Sequence, residues 1–122
     1  MILADTSVWV DHLRQSDPQM TSFLLAGRIA MHPFVVAEIA LGSLHNRSRR
    51  LQEMDLLLSV QVAQLEAVRH MIEAHALYSR GIGLTDAHLI ASCLLSPGTR
   101  LWTRDKDLRK VATALDVIAN LP

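Results

Sequence analysis

The feature that most constrains this chain is its opening, Met1-Ile2-Leu3-Ala4-Asp5-Thr6-Ser7-Val8-Trp9-Val10-Asp11. A short apolar run meets a carboxylate and two hydroxyls, then passes into a stretch that suits a helix. The pattern predicts a buried strand whose carboxyl end delivers Asp5 to a site, because ligands of open α/β sheets bind outside the carboxyl ends of the strands. Asp5 also suits a plain structural role, capping the next helix with help from Ser7.

The rest of the chain repeats the alternation. Ser7 to Gln15 reads as a first helix. Asp17 caps a second, Pro18 takes its first position and Gly27 ends it. Arg28 to His32 is a strand candidate. Pro33 then opens a helix through Leu41, which sets Glu38 in an apolar stretch where a carboxylate needs a partner or a cation unless the helix turns it to solvent. After a looser Gly42–Asn46, Arg47-Ser48-Arg49-Arg50 form a basic cluster and Leu51 to Leu58 continue as helix. Val60-Gln61-Val62 alternates like a brief strand. Leu65 to Arg80 predicts one long amphipathic helix, broken by Gly81-Ile82-Gly83. Thr85-Asp86 start a nearly all-apolar, buried helix through Leu95. Beyond the Ser96-Pro97-Gly98 turn, Arg100 to Thr103 is a strand, Leu108 to Leu115 a last helix and Asp116 to Ala119 a closing strand. Strands alternating with helices favour a mainly parallel sheet covered on both faces.

With 122 residues, half of them hydrophobic, the chain is expected to form one domain over 1–122 with a core that needs no disulfide or metal staple. Its single Cys93 sits in an apolar run and fits a reduced, cytoplasmic protein. No secretory leader is expected, and no apolar run approaches the ~18 residues of a membrane span. Formal net charge is zero, so a nucleic-acid partner must be engaged by local patches.

Four acids fall in comparable places. Asp5 and Asp105 follow strands, while Glu38 and Asp86 lie on helices flanking the sheet. Asp86 also suits the first turn of its helix, and Asp107 either shares the role of Asp105 or caps the last helix. If the four converge, their charges raise one another's pKa, and a hard divalent cation is the simplest relief. All-oxygen ligation points to Mg²⁺ or Mn²⁺ rather than zinc. Carboxylate-held metal ions are an established route to phosphodiester hydrolysis.

The sequence resembles PIN domains, and among them the VapC-type ribonuclease toxins of type II toxin–antitoxin pairs. The matching runs are Ile2-Leu3-Ala4-Asp5-Thr6-Ser7, Val36-Ala37-Glu38-Ile39, Thr85-Asp86-Ala87-His88-Leu89-Ile90-Ala91 and Leu101-Trp102-Thr103-Arg104-Asp105-Lys106-Asp107-Leu108, in the family's order. The resemblance implies a three-layer α/β/α sandwich, Mg²⁺- or Mn²⁺-dependent cleavage of RNA, a homodimer, and inhibition by a cognate antitoxin. By it, Asp5, Glu38, Asp86 and Asp105 are the catalytic, metal-binding acids. Thr103 orients the fourth acid, and Thr6 and Ser7 support the site. His88 departs from the small or apolar residues common there and is expected on the helix surface.

Arg47, Arg49 and Arg50 are candidate contacts to RNA phosphates, as are Arg104, Lys106, Arg109 and Lys110 beside the fourth acid. Trp9 and Trp102 read as core or dimer contacts. His70 and His75 lack zinc-motif spacing. The alternatives are a receiver-like or protein-binding module with an acidic Mg²⁺ pocket, a phosphotransferase using Asp5 as nucleophile, and a domain whose acids only cap helices.

Overall fold

Ile2, Leu3 and Ala4 form the first strand, β1 (Ile2–Ala4), and all three are buried. A strand apolar on both faces needs a cover on each side, which parallel strands joined by crossover helices provide. The computed structural model, which describes residues 1–122, has that organisation. After β1 come α1 (Thr6–Arg14), α2 (Pro18–Leu25), β2 (Ile29–Met31), α3 (Pro33–Ala40), α4 (Arg47–Asp55) and β3 (Leu58–Ser59). Then follow α5 (Leu65–Ala74), α6 (Leu84–Leu95), β4 (Arg100–Trp102) and α7 (Lys106–Ala114).

Every strand pairing is parallel, in the order β3-β2-β1-β4, with Leu3 opposite Ala30 on one side and Leu101 on the other. The chain steps outward from β1 to β2 to β3, then returns past β1 to lay down β4. Right-handed crossovers therefore put α1–α4 on one face and α5–α7 on the other. The packing agrees: α1 rests on α3, α3 on α4, and α5 on α6. This is the expected three-layer α/β/α sandwich. The reversal of direction falls between β1 and β4, and the crevice at such a switch point is where these sheets bind ligands. Asp5 and Thr103 are the first residues beyond those two strands.

Helix ends explain most departures from the sequence pattern. Asp17 caps α2 as expected, its Oδ1 accepting from the Gln19 and Met20 amides at 2.9 and 3.2 Å. The helix closes when Arg28 N–H reaches Phe23 O and Gly27 N–H reaches Leu24 O, with Gly27 left-handed at φ 67°. The same closure stops α5 at Ala74, not Arg80. Leu77 N–H donates to Ile72 O at 2.9 Å and Ala76 N–H to Glu73 O, with Ala76 at φ 50°. Leu77 is buried by the turn. No glycine marks the place, because an alanine bears the left-handed conformation that usually costs it roughly 1 kcal/mol.

The basic cluster lies within α4 rather than before it. The third strand is Leu58–Ser59, not Val60–Val62; Val60 N–H still reaches Met31 O at 3.0 Å, and the chain then leaves the sheet. The expected closing strand amounts to one parallel bridge, Leu101 to Ile118. Helix α6 is buried at every residue from Ala87 to Cys93. His88 is thus an interior residue, only 4% exposed, because the helix bearing it is enclosed by the fold. Both tryptophans are core residues. No helix is long and apolar enough to cross a membrane.

Candidate active site

Asp5 is buried at the end of β1 and caps α1, its carboxylate accepting from the Val8 amide at 3.3 Å and from the hydroxyls of Ser7 and Thr103. The expected cap is present, and together with the two hydroxyls it fixes the direction of the carboxylate. Thr103, wholly buried, also accepts the Asp105 amide at 3.0 Å. It grips the carboxylate of the first acid and the backbone of the fourth, rather than orienting the Asp105 side chain alone.

Glu38 is exposed on α3, the solvent-facing one of its two expected settings, and its Oε1 accepts from the Thr6 hydroxyl at 2.6 Å. The helix turns its apolar residues Val35 and Ile39 inward and leaves Glu38 on the rim of the crevice. Asp105 is likewise exposed, and its Oδ1 caps α7 through the Leu108 amide at 2.8 Å. Asp86, half-buried in the first turn of α6, accepts from the Gly83 amide at 3.3 Å.

Electrostatics ties the four together. The Asp86 carboxyl is pushed above its ordinary range, chiefly by burial and further by the negative charges of Asp105, Asp5 and Glu38, against an opposing bond from the Gly83 amide. Exposed charges beyond about 10 Å are largely screened, so the combined influence marks one neighbourhood. None of the four acids enters an ion pair. As arranged, no three of them enclose a point that a metal would fill. Glu38 and Asp105 are exposed and free to turn, and Mg²⁺ keeps several waters in its shell, so an oxygen-only set like this one fits a hard divalent cation.

Asp107 lies apart from this group. Its Oδ2 would sit 2.5 Å from a methyl group placed on Gly81, so it packs against the α5–α6 connection and suits the α7 dipole. Gly81, at φ 81°, suits the turn through its left-handed backbone, whereas the exposed Asp107 side chain could swing aside from a larger residue.

Most of the candidate phosphate contacts are engaged elsewhere. Arg47 donates to the Gly42 and Ala40 carbonyls at the end of α3, and Arg49 pairs with Glu53 at 2.9 Å. Arg109 donates to Leu121 O at 2.9 Å. Arg104 pairs with Asp11 at 2.8 Å and Asp17 at 2.6 Å, donates to Pro122 O, and lies over the Trp102 ring at 5.5 Å. Its amide also donates to Ser7 Oγ at 3.2 Å. Arg104 is a strut that fastens the Thr103–Asp105 loop to α1 and α2. Lys106 stays exposed, as does Lys110.

One cluster escaped the sequence pattern. His32 caps α3, with Nδ1 accepting from the Phe34 amide at 3.0 Å, and its ring stands 6.2 Å from that of His88, beside Phe34. His32 Nε2 and His88 Nδ1 have no protein partner. Burial, then the neighbouring His88, pushes His32 down to about 4, and burial lowers His88 as well, so both rings stay neutral near pH 7. The visible signal was Pro33, which makes His32 the residue before a helix, although histidine is not a usual cap.

The description "PIN domain" fits residues 2–114, in a match of the family model that includes all four acids. The chain belongs to the PIN-domain family. It is also 40% identical over 109 residues to Ribonuclease VapC32 of Mycobacterium tuberculosis strain CDC 1551 / Oshkosh, a span covering 89% of this chain and 88% of that one. The same values hold for Ribonuclease VapC32 of strain H37Rv. This PIN domain is of the VapC type.

Proposed function

We propose that Asp5, Glu38, Asp86 and Asp105 form the divalent-metal site of an endoribonuclease, the toxin of a toxin–antitoxin pair. The observation that carries this is the placement of the acids: Asp5 is held at the end of β1 by Ser7, Thr103 and the Val8 amide, Glu38 is tied to Thr6 beside it, and no basic side chain pairs with any of the four. The raised Asp86 carboxyl agrees. The similarity to the ribonucleases VapC32 supports the choice of RNA.

Asp5, fixed by Ser7, Thr103 and the Val8 amide, would hold the principal ion with Asp86. Glu38 and Asp105, on the two rims of the crevice, would complete the site and orient the attacking water, Thr6 steadying Glu38 through its hydroxyl. When bound, Mg²⁺ or Mn²⁺ supplies the positive charge that lets four carboxylates stay ionised and makes bound water more acidic. In-line attack of water on the scissile phosphorus would form the new P–O bond as the bond to the 3′ oxygen breaks. That oxygen takes up a proton and leaves as the 3′-hydroxyl, and the water oxygen stays in the 5′-phosphate. The protein is proposed to work in the cytoplasm as a homodimer and to be silenced by a cognate antitoxin.

The test is cleavage of total cellular RNA with Mg²⁺, Mn²⁺ or chelator, alongside Asp86→Asn. Discrete fragments that require metal and vanish in the folded variant are expected. Identical patterns from both proteins would refute the assignment, and metal binding without cleavage would favour a non-catalytic module.

A further inference from the structure

Beside Glu38 a cleft of about 490 Å³ opens between α1 and the α3–α4 segment. That volume is in the range of roughly 300–1,000 Å³ typical of ligand pockets. Glu38 is its one acid, and Arg14, Arg50 and His45 supply its basic groups. None of these three enters an ion pair. Of their neighbours, Arg47, three residues from Arg50, is held by carbonyls at the end of α3, and Arg49 makes only an exposed pair with Glu53 one turn on. In a chain of zero net charge, unpaired guanidinium groups gathered in one cleft that borders the acid site are a local anion-binding feature.

We infer that this cleft carries the RNA backbone on one side of the scissile bond, with Arg14 and Arg50 each binding a phosphate. The inference rests on the ribonuclease reading and names the part of the substrate that reading leaves unplaced. A guanidinium presents a planar fork that matches two phosphate oxygens, and RNA offers such a group at every nucleotide. Position supports it. Asp5 caps the start of α1 and Arg14 ends that helix, so at 1.5 Å per residue the two stand roughly 13 Å apart along its axis. That separation sets Arg14 beyond the reacting phosphate, against a neighbouring stretch of the same RNA strand. Arg14 and Arg50 therefore bind substrate and take no part in the chemistry. His45 adds a polar donor along the same wall.

Two measurements test this. Binding of a labelled, mixed-sequence single-stranded RNA is followed against salt concentration in an Asp86→Asn background, which prevents turnover. It is compared with the same protein carrying Arg14→Gln, Arg50→Gln, both, or Arg50→Lys. Glutamine keeps helix propensity close to that of arginine, and coincident thermal melts confirm that the fold is retained. Each glutamine variant is expected to weaken binding about 10-fold and to flatten the slope of log affinity against log salt by about 0.7, the double variant by about 1.4. Arg50→Lys should keep the slope while losing a few-fold in affinity. In the otherwise wild-type enzyme, KM for RNA should rise by similar factors.

An unchanged affinity and slope in the double variant would overturn the inference. So would loss of binding to a polyglutamate peptide while RNA binding is untouched, which would make the cleft a protein site. Failure of the ribonuclease reading is separable. Wild type that cleaves nothing yet binds RNA through the two arginines sinks that reading and leaves the cleft standing. Metal-dependent cleavage with no arginine effect does the reverse.

Discussion

Replacing Arg104 by methionine should cost about 3 kcal/mol of stability and most of the activity, although the guanidinium touches none of the four acids. Its bond to Asp17 is short, 2.6 Å, with side chains only 27% and 19% exposed, so it sits at or slightly above the ~1 kcal/mol top of the surface-pair range. The Asp11 partner is 51% exposed, and that pair is worth roughly 0.3–0.5 kcal/mol. Stacking over Trp102 adds about 0.5–1 kcal/mol, and the bond to Pro122 O about as much. Near 4 °C per kcal/mol for a chain of this length, the melting temperature should fall by about 12 °C.

The pH dependence makes the test specific. Asp17 is held below the usual carboxylate range first by its hydrogen bond to Arg104. An acid whose folded pKa is depressed contributes stability above its unfolded pKa, near 4, and loses it as pH falls through the folded value. The gap between wild type and Arg104→Met, read from urea unfolding, should be full at neutral pH and shrink below about pH 4. Arg104→Lys should recover only the Asp17 pair. Equal melting of Arg104→Met and wild type, or a gap that stays constant into acid, would refute the strut.

Three further outcomes follow from the site. Thr103→Val is isosteric but abandons the Asp5 carboxylate and the Asp105 amide, and should cost about 2–4 kcal/mol in urea unfolding with loss of cleavage, whereas Thr103→Ser should cost about 1 kcal/mol. Without metal, Asp86→Asn should melt a few degrees higher than wild type, since the raised carboxyl makes metal-free stability fall as pH climbs from about 4 through its folded pKa. Mg²⁺ at about a hundred times its Kd should stabilise wild type by ~2.7 kcal/mol, and an equal gain in the variant would exclude Asp86 as a ligand. For His32, pushed down from 6.5 to about 4, the unfolded chain takes up the proton first, so wild type should lose about 3 kcal/mol as pH falls across that interval. His32→Asn keeps a cap for the Phe34 amide and should flatten that slope in pH-dependent unfolding.

The strand–carboxylate boundaries at Asp5 and Asp105 were legible because an apolar run, a polar break and a helix start all lie within a few adjacent residues. Glu38 stands out in the sequence by its apolar stretch, which does not say which way it faces. Its neighbours Val35 and Ile39 are buried, and a helix of eight residues has room for both faces. The end of α5 was hidden because Ala76 takes a glycine's conformation. Arg104 meets Asp11 and Asp17 across 93 and 87 residues, and no local pattern reports such a pairing. For the same reason Arg14 went unnoticed while the conspicuous Arg47 proved to be engaged structurally. Charge clusters are visible in sequence; which charges remain free depends on tertiary neighbours.

The bond from Thr103 to Asp5 spans 98 residues, and β4, which pairs with β1, is the last of the four strands along the chain. A ribosome adding ~5–20 residues per second needs about 5–20 s to travel between those two positions. Throughout that interval the first strand lacks its β4 partner, and the carboxylate it carries lacks the Thr103 hydroxyl that steadies it. Asp86 and then Asp105 emerge late, the latter just ahead of the final helix. On the proposed assignment of the four acids, a chain cut short before β4 therefore lacks both Thr103 and Asp105 and holds an incomplete site.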